Sequence, residues 1–391
     1  MKKKHFLILT IVAVVLLVLG VLINRSRQGA WEDNGMGAQV IPDLDVTKIA
    51  KVVVQNDGGT VTVAFRDGAW GVTERYGYPV KYETLATFLE DLQDLTVAQA
   101  IEAGESQYGR LKLNEPGKDA AGALVTIHGE DGQELASLIF GKEHMSKRAG
   151  GPMGQGGYPD GRYLRAKGAG SVMLVSKSFG RVDDKPSSWL NDEFFKIGDI
   201  KEATLSQGGK ELWKVSREEK TGDLKLAGDV PAEKEVDTSK LGSIKSAFSW
   251  ARFSDVADPG MTPEDTGLDK AKTYVAREFD GSVFTIVVGK KSDDGKYYLT
   301  VAAAYVGPTE RLPVKDEKPE DKEKNDKAFT DKLAESQKKA ADLNARTKGW
   351  VYLVDAWTVE NVTKTRDKLL KDKPKPKEDD KAGDAAEKDE K

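Results

Sequence analysis

The sequence predicts an α+β protein of two tandem repeats, each an antiparallel or mixed sheet of hairpins with one packed amphipathic helix, after a single N-terminal transmembrane helix. Three observations predict this class. Short β-branched runs alternate with turns rich in Gly, Asn and Asp, and two stretches carry apolar residues at helical spacing. The order hairpin, helix, hairpin, hairpin occurs twice, which indicates an internal duplication over residues 45–195 and 196–370.

The N-terminus predicts an uncleaved signal anchor. Three lysines precede an apolar stretch of eighteen residues, 6–23, interrupted only by Thr10 and Gly20. A helix needs about 20 residues to cross a bilayer, whereas a cleaved signal has an apolar region of about 7–15 residues before a small-residue site. The positive charge predicts that residues 1–5 are cytoplasmic. We therefore expect a single-pass protein of the bacterial inner (cytoplasmic) membrane with its main domains outside the cytoplasm.

Residues 24–44 lack periodicity and predict a tether. The first repeat opens with "TKIAKVVVQNDGGTVTVAFRDGAWGV", which predicts a hairpin or a three-strand meander. The following "VKYETLATFLEDLQDLTV" predicts a helix with an acidic outer face. Its apolar side is predicted to carry Leu85, Phe88, Leu89, Leu92 and Thr96. Two further hairpins are predicted, with turns at 130–132 and 168–170.

The second repeat follows the same plan. Its first hairpin turns at Gly208-Gly209, and its helix carries Leu241, Ile244 and Phe248 on one side, with Asp237 or Thr238 as the cap. "TYVAREFDGSVFTIVVGKK" matches the second hairpin of the first repeat, with "VVGK" in the place of "IFGK". "GKYYLTVAAAYVG" and "GWVYLVDAWTV" match the third hairpin.

A Gly-rich insertion interrupts the first repeat at 143–160, within "FGKEHMSKRAGGPMGQGGYPDGRYL". A phosphate-binding loop requires G-x-x-x-x-G-K-[ST] leading into a helix, and this stretch has neither that spacing nor that helix. In the second repeat only "SDDG" follows "VVGKK". The comparison favours a flexible surface loop over a ligand-binding one.

The second repeat has a charged insertion at 314–348. Its later half contains good helix formers with sparse apolar residues, so a solvated, partly helical excursion is favoured over a partner-binding helix. Both insertions are predicted to be removable at small cost, because loop-closure entropy changes slowly with length. The tail, 371–391, has no apolar residue other than Ala and predicts disorder.

Composition excludes several kinds of chemistry. The 60 basic residues nearly balance the 64 acidic ones, so no nucleic-acid partner is predicted, and the absence of Cys excludes thiolate catalysis and thiolate-bound metals. Only three histidines are present, His5, His128 and His144, and none has a partner at catalytic or metal-binding spacing. His128 is predicted to be a half-exposed strand residue. We therefore predict no catalytic, cofactor-binding or metal-binding residues and no cofactor.

Six tryptophans are predicted to lie mainly in the core, with a sugar-stacking face as the alternative. They are Trp70, Trp189, Trp213, Trp250, Trp350 and Trp357.

The pattern resembles a known family. The Lys-flanked span, "VVVQNDGGTVTVAFRDGAWGV", "LVTIHGEDGQELASLIFGK", "GRYLRAKGAGSVMLVSKSF" and "WLNDEFFKIGDIKEATL" are similar to an uncharacterised, membrane-anchored bacterial envelope family, domain of unknown function 4340. The resemblance covers about residues 5–365. Family members commonly have "R-D-K" before the second copy, where this chain has "GRVDDKPSSWLND". Members often accompany gliding-motility-type ABC transporter components, and the family brings no established catalytic residues.

These observations lead to two expectations of function. The first is a non-enzymatic accessory or interaction protein of the envelope, held by residues 6–23 and serving an ABC-type transport system through a protein partner. The alternative is an envelope carbohydrate or peptidoglycan binding module, or a hydrolase that uses carboxylates. The position of the tryptophans, in the core or in an open groove, distinguishes the two.

Overall fold

The computed structural model describes residues 35–146, 157–312 and 317–373. The predicted anchor, the cytoplasmic residues 1–5 and most of the tether lie outside this range, as do residues 374–391 of the tail. Helix accounts for 27% and strand for 36%, in antiparallel sheets, which confirms the α+β class. In the described ranges, no helix has the length and apolar character needed to span a membrane.

Two compact units divide the chain, Met1–Asp192 and Glu193–Lys391. The first unit contains α1 (Tyr82–Gln93) and α2 (Glu105–Tyr108). Its strands are β1 (Ile49–Asn56), β2 (Gly59–Arg66), β3 (Ala69–Val72), β4 (Tyr78–Pro79), β5 (Val97–Ile101), β6 (Ala123–Gly129), β7 (Glu134–Met145), β8 (Pro159–Ala166) and β9 (Val172–Val175). Its 3-10 turns are Val46–Lys48, Thr73–Arg75, Gly109–Leu111, Gly180–Asp183 and Pro186–Trp189.

The second unit contains α3 (Thr238–Ser246), α4 (Pro263–Thr266), α5 (Pro319–Thr347) and α6 (Ala356–Glu360). Its strands are β10 (Ile200–Gln207), β11 (Lys210–Ser216), β12 (Lys225–Leu226), β13 (Lys234–Val236), β14 (Asp255–Val256), β15 (Lys272–Glu278), β16 (Ser282–Lys291), β17 (Tyr297–Tyr305), β18 (Tyr352–Val354) and β19 (Leu370–Asp372). Its 3-10 turns are Leu268–Lys270 and Arg366–Leu369.

The two large sheets have corresponding strand orders. The nine-stranded sheet runs β4-β3-β2-β1-β6-β7-β8-β9-β5, and the eight-stranded sheet runs β12-β11-β10-β15-β16-β17-β18-β14. If β4 is set aside, every position of the first order has an equivalent in the second. Along the sequence of both units, the first strands are followed by a helix and then by the strand at the far edge of the sheet, β5 or β14. The remaining strands of the sheet come after it.

The first unit has one buried cluster beside α1 and another formed by Tyr108, Leu113, Leu124, Ile139 and Val172. Leu85, Phe88, Leu89 and Leu92 are buried as their spacing predicted. The Phe88 ring packs 5.4 Å from that of Trp189. Thr96 does not belong to the helix, which ends at Gln93; it is exposed and bridges to Gln39 instead.

The core of the second unit is rich in aromatic rings. Phe248, Tyr274 and Trp213 are each no more than 2% exposed, and the Trp213 Nε1 donates to the Lys364 carbonyl at 2.8 Å. Phe194 packs on Phe253 and Tyr352 in this core. The unit therefore begins just before the predicted boundary at 195/196.

The cap of α3 is Asp237, whose carboxylate accepts from the Ser239 and Lys240 amides. This selects Asp237 from the two predicted caps. The helix ends at Ser246, so the buried Phe248 follows it rather than belonging to it. Residues 356–360, predicted as part of a strand, form α6.

The charged insertion forms α5, and the helix packs on the sheet. Leu343 and Thr347 are buried, and the Thr347 hydroxyl donates to the Val301 carbonyl at 3.1 Å. The Asn344 side chain donates to the Ala303 carbonyl at 2.7 Å and accepts from the Ala303 amide at 2.8 Å. Most side chains of α5 are exposed, as expected of a solvated and partly helical excursion, but its C-terminal end packs on β17. Its removal at small cost stays a prediction.

The ends of two predicted irregular segments are strands. Within the Gly-rich insertion, β7 continues to Met145 and β8 begins at Pro159, with these two residues paired; residues 147–156 lie outside the described ranges. At the tail, Lys371 and Asp372 belong to β19 and pair with β13. The predicted start of the disordered tail was therefore too early. Backbone pairing with β13 orders Lys371 and Asp372, although neither has an apolar side chain to bury.

Candidate functional site

A cleft of about 480 Å³ in the first unit lies where β1 ends beside β6, β7 and β8. Its lining includes Asn56, Lys112, Gly141, Lys142 and Arg162. It is the cleft nearest to the Gly-rich insertion, and its walls combine charged side chains with exposed backbone. This combination of groups makes the cleft a candidate binding site.

The polar groups at this cleft are mostly bonded to the protein itself. Arg162 is 3% exposed, and its guanidinium donates to the carbonyls of Gly141 at 2.7 Å and Phe179 at 2.8 Å and also to the Asp183 carboxylate. The Asn56 amide donates to the Val182 carbonyl at 2.7 Å. Both side chains therefore brace the loop around 178–184 against the sheet, which leaves few of their donors for a ligand.

Gly141 and Gly289 explain the shared "FGK" and "VGK" motifs. A Cβ on Gly141 would lie 2.4 Å from the Leu111 carbonyl oxygen, and one on Gly289 would lie 2.2 Å from the Thr266 carbonyl oxygen. The two glycines occupy the equivalent strands β7 and β16. They allow a helical turn to cross each sheet in direct contact with the strand backbone.

A second cleft, of about 400 Å³, lies at the equivalent end of the second sheet and is lined by Gln207, Gly289, Lys290 and Tyr297 among others. The Gln207 amide donates to the Lys270 carbonyl at 3.1 Å, as Asn56 does to a loop in the first unit. An amide at the end of the first strand thus holds a neighbouring loop in both units. The equivalence indicates an architectural role for these side chains.

A third cleft, of about 550 Å³, is lined by charged residues of the second unit: Lys196, Asp199, Lys220, Glu278, Asp280, Lys332 and Lys339, together with Gly198. The Glu278 carboxylate accepts from the amides of Gly198 at 2.7 Å and Asp199 at 2.8 Å. Lys220 lies 2.9 Å from Asp199 and, by its hydrogen bond, holds the pKa of that carboxyl below its usual range. Asp199 and Glu278 are therefore bonded within the protein, and four lysines face three carboxylates in the lining of the cleft.

His144 has a partner that the sequence did not reveal. It lies on β7, where its Nδ1 is 2.6 Å from the Asp160 Oδ1 on β8. The sequence predicted no partner for His144 at catalytic or metal-binding spacing; Asp160, sixteen positions away, becomes its neighbour because β7 pairs with β8. Both side chains are more than a third exposed, so the pair is an exposed cross-strand contact. His128 is half-buried on β6, as predicted, and its Nδ1 donates to the Gly132 carbonyl at 3.2 Å.

The six tryptophans divide into three groups: two are buried, two are exposed, and Trp70 and Trp350 are partly buried. Trp189 is fully buried and Trp213 is 2% exposed, as predicted for core residues. Trp250 and Trp357 are 77% and 67% exposed, so the prediction of a core position was wrong for these two. The Lys196 ammonium lies 4.4 Å above the centre of the Trp250 ring, which places this ring beside the third cleft.

Metal and cofactor sites were not predicted, and the described ranges contain no group of three His, Asp or Glu side chains able to hold a metal ion. Arg162 was missed as a bracing residue. Its signal was a charge within an otherwise apolar strand, "GRYLRA". Such a position requires a buried partner.

A family model described as Domain of unknown function (DUF4340) matches residues 70–271, which is more than half of the chain. The match starts in β3 of the first unit and ends beyond α4 of the second. No curated protein and no solved structure matched the chain.

Proposed function

The chain belongs to the family described as Domain of unknown function (DUF4340), and from this membership we propose that it is a non-enzymatic accessory or interaction protein of the bacterial envelope. Residues 6–23 would anchor it in the cytoplasmic membrane, with both units on the extracytoplasmic side. Its partner would be an envelope or transporter protein, such as an ABC-type transport system that it serves as an auxiliary subunit. The apolar stretch and the lysines before it support the anchor.

One observation carries the proposal. Three polar side chains at the described clefts hold the fold: Arg162 and Asn56 brace a loop, and Glu278 accepts from two backbone amides. A general acid or base requires a group that is free to exchange a proton with a substrate. Groups committed to backbone partners suit a rigid binding scaffold instead.

We also infer that the two units are copies of one ancestral unit, each a sheet with one packed amphipathic helix after the anchor, over residues 45–195 and 196–370. The corresponding strand orders support this inference. So does the placement of Gly141 and Gly289 beneath a crossing turn in both sheets. Duplication would give the protein two related surfaces on one tether.

The test of the anchored role is a comparison of three forms in cells that lack the protein. The forms are the full chain, a chain without residues 1–30 that is exported by a cleaved signal, and a chain in which an unrelated single-span anchor replaces 6–23. Tethering raises the effective concentration near a membrane partner, so we expect the first and third forms to restore the phenotype and the second to fail. Full activity of the second form would overturn the proposal.

The test of the non-enzymatic role is incubation of the purified protein with envelope polymers. No release of products is expected. Turnover that stops when a single Asp or Glu is changed to its amide would show an enzyme instead.

A second candidate function, binding of envelope carbohydrate or peptidoglycan, is favoured by Trp250. Its ring is 77% exposed and lies beside a charged cleft through Lys196. Exposed indole faces stack on sugars and other planar ligands. Binding of the chain to isolated peptidoglycan, lost in Trp250→Ala and retained in Trp357→Ala, would favour this candidate.

A further inference from the structure

The edge strand β5 differs from the other edges of the two large sheets. The opposite edge of the same sheet is β4, which has two residues, one of them Pro79. The edges of the second sheet, β12 and β14, also have two residues each. β5 has five residues, "VAQAI", with neither charge nor proline, and its three central side chains are exposed. Short strands, charges and proline are the means by which proteins protect sheet edges, and β5 has none of them.

The outer side of β5 already accepts a strand at its N-terminal end. The Gly37 amide donates to the Val97 carbonyl at 2.8 Å, and the Val97 amide donates to the Ala38 carbonyl at 2.9 Å. The chain then turns, since the Ala38 amide donates to the Gly35 carbonyl at 3.1 Å. Among the described residues, 98–101 make no backbone hydrogen bonds beyond their pairing with β9. The edge is therefore competent for pairing, and within the described ranges no strand pairs with its second half.

The charge around this edge indicates the kind of partner. Asp94 precedes β5, Glu102 and Glu105 follow it, and no Lys or Arg occurs between Asp94 and Arg110. Lys177, which forms an ion pair with Asp91, also interacts with Asp94, so the carboxylates left to a partner are Glu102 and Glu105. Pairing with a second copy would add the same two carboxylates and no new cation from this segment, and so short an edge offers too little area for a stable dimer. A chain with basic residues would complement the edge.

We propose that residues 98–101 of β5 form a docking edge for an extended, proline-free peptide segment with Lys or Arg at its ends, which adds to the sheet as a further strand. Backbone hydrogen bonds provide the affinity in this mode of recognition. The small side chains of Ala98 and Ala100 leave room for larger side chains of the partner. The biological meaning of this inference rests on the proposed interaction role. The binding itself is measured in solution and does not depend on that role.

The test uses the full chain in detergent and the acetylated, amidated peptide Lys-Thr-Val-Thr-Val-Thr-Lys as the probe. A second peptide of the same sequence, N-methylated at alternate residues, cannot form one row of backbone hydrogen bonds and is the matched control. Amide hydrogen exchange of residues 97–102, followed by mass spectrometry, is expected to slow by about tenfold with the first peptide and to remain unchanged with the second.

A variant pair locates the binding. Ala98→Lys with Ala100→Lys adds charge at the edge and is expected to weaken binding of the probe by at least about tenfold. The control, Ala302→Lys with Ala304→Lys, makes the same two changes at exposed residues of β17 and should leave binding intact. Should the double variant fail to fold, the two peptides still decide the matter on the unaltered chain. No slowing with the first peptide, equal slowing with both peptides, or full binding by a folded double variant would overturn the proposal, and none of these results bears on the anchor-replacement experiment.

Discussion

Buried arginines connect loops to both sheets. Arg165 is 6% exposed and donates from Nε to the Leu113 carbonyl at 2.8 Å while its guanidinium lies 4.7 Å above the Tyr108 ring. Arg217 is 4% exposed and donates from Nε to the Ile200 carbonyl at 2.6 Å. A guanidinium presents several donors in a fixed plane and is more weakly hydrated than an ammonium. This explains why arginine rather than lysine occupies these positions.

The two equivalent glycines yield the prediction at this scale. Gly141→Ala and Gly289→Ala are each expected to lower the free energy of unfolding by about 1–3 kcal/mol, because the new methyl group would overlap a backbone carbonyl that has little freedom to move. Urea denaturation measures the change. The control is Gly242→Ala in α3, where no atom lies within 4 Å of the added Cβ. That change should raise the free energy of unfolding by about 0.5–1 kcal/mol, and equal behaviour of all three variants would contradict the explanation.

Helix α5 protects part of a sheet edge. β18 pairs with β17 only from Tyr297 to Leu299. Beyond that point, Asn344 satisfies both the amide and the carbonyl of Ala303. A side-chain amide can take the place of one residue of a neighbouring strand, because it carries both a hydrogen-bond donor and an acceptor. The helix thus covers backbone groups that would otherwise be open to another chain.

Asn344→Ala is therefore expected to lower the free energy of unfolding by about 1–3 kcal/mol, since two hydrogen bonds of about 0.5–1.5 kcal/mol each are lost. Urea denaturation with tryptophan fluorescence measures it. Lys338→Ala removes an exposed side chain from the same helix and should change stability by no more than about 0.5 kcal/mol. A neutral Asn344→Ala would mean that water replaces the amide without loss.

The cap of α3 predicts a pH dependence. Hydrogen bonds from the Ser239 side chain and from the Lys240 and Ser239 amides lower the pKa of Asp237. A carboxyl whose pKa is lower in the folded state stabilises the fold above its unfolded pKa, and this stabilisation is lost as the pH falls through the folded value. Asp237→Asn keeps the cap but removes the charge. The melting temperature of the native chain should therefore fall more steeply below the ordinary Asp pKa than that of the variant, and parallel curves would show that the carboxylate contributes nothing.

The elements that the sequence predicted are those with a local periodic signal. Leu85, Phe88 and Leu92 recur at helical spacing and are buried, and Gly208-Gly209 forms the turn of the β10–β11 hairpin as predicted. The packing of α5 carried no such signal. Its anchoring residues, Asn344 and Thr347, are polar and contact the backbone of a strand more than forty positions away. Hydrophobic patterns cannot report contacts of this kind.

The candidate sites were less predictable for a related reason. The partner of His144, Asp160, becomes evident only when the register of β7 with β8 is known. Trp250 follows α3 and Trp357 lies within α6, so the exposure of each ring depends on where its helix begins or ends. Errors of one or two residues at an element end are common in prediction from sequence, and one such residue reverses the exposure of a side chain.

At the scale of the whole molecule, each unit contains a complete sheet and its own core. In the first, α1 covers the sheet together with Trp189. In the second, Phe194, Phe248 and Tyr352 form an aromatic centre. A unit of this size buries enough surface to be stable without further domains.

The second unit should therefore fold when it is separated from the first. A fragment of residues 193–391 is expected to unfold in a single cooperative transition in urea, with the same midpoint by near-ultraviolet circular dichroism, which reports its buried aromatic rings, and by far-ultraviolet circular dichroism, which reports its strands. A matched fragment that ends at residue 291 lacks β17 and β18 and should not show a cooperative transition. In that fragment β16 would lose one of its two neighbouring strands, and the core would lose Leu299 and Tyr352. Separate midpoints for the longer fragment, or a loss of its aromatic signal in water, would mean that its core is not closed by residues 193–391 alone.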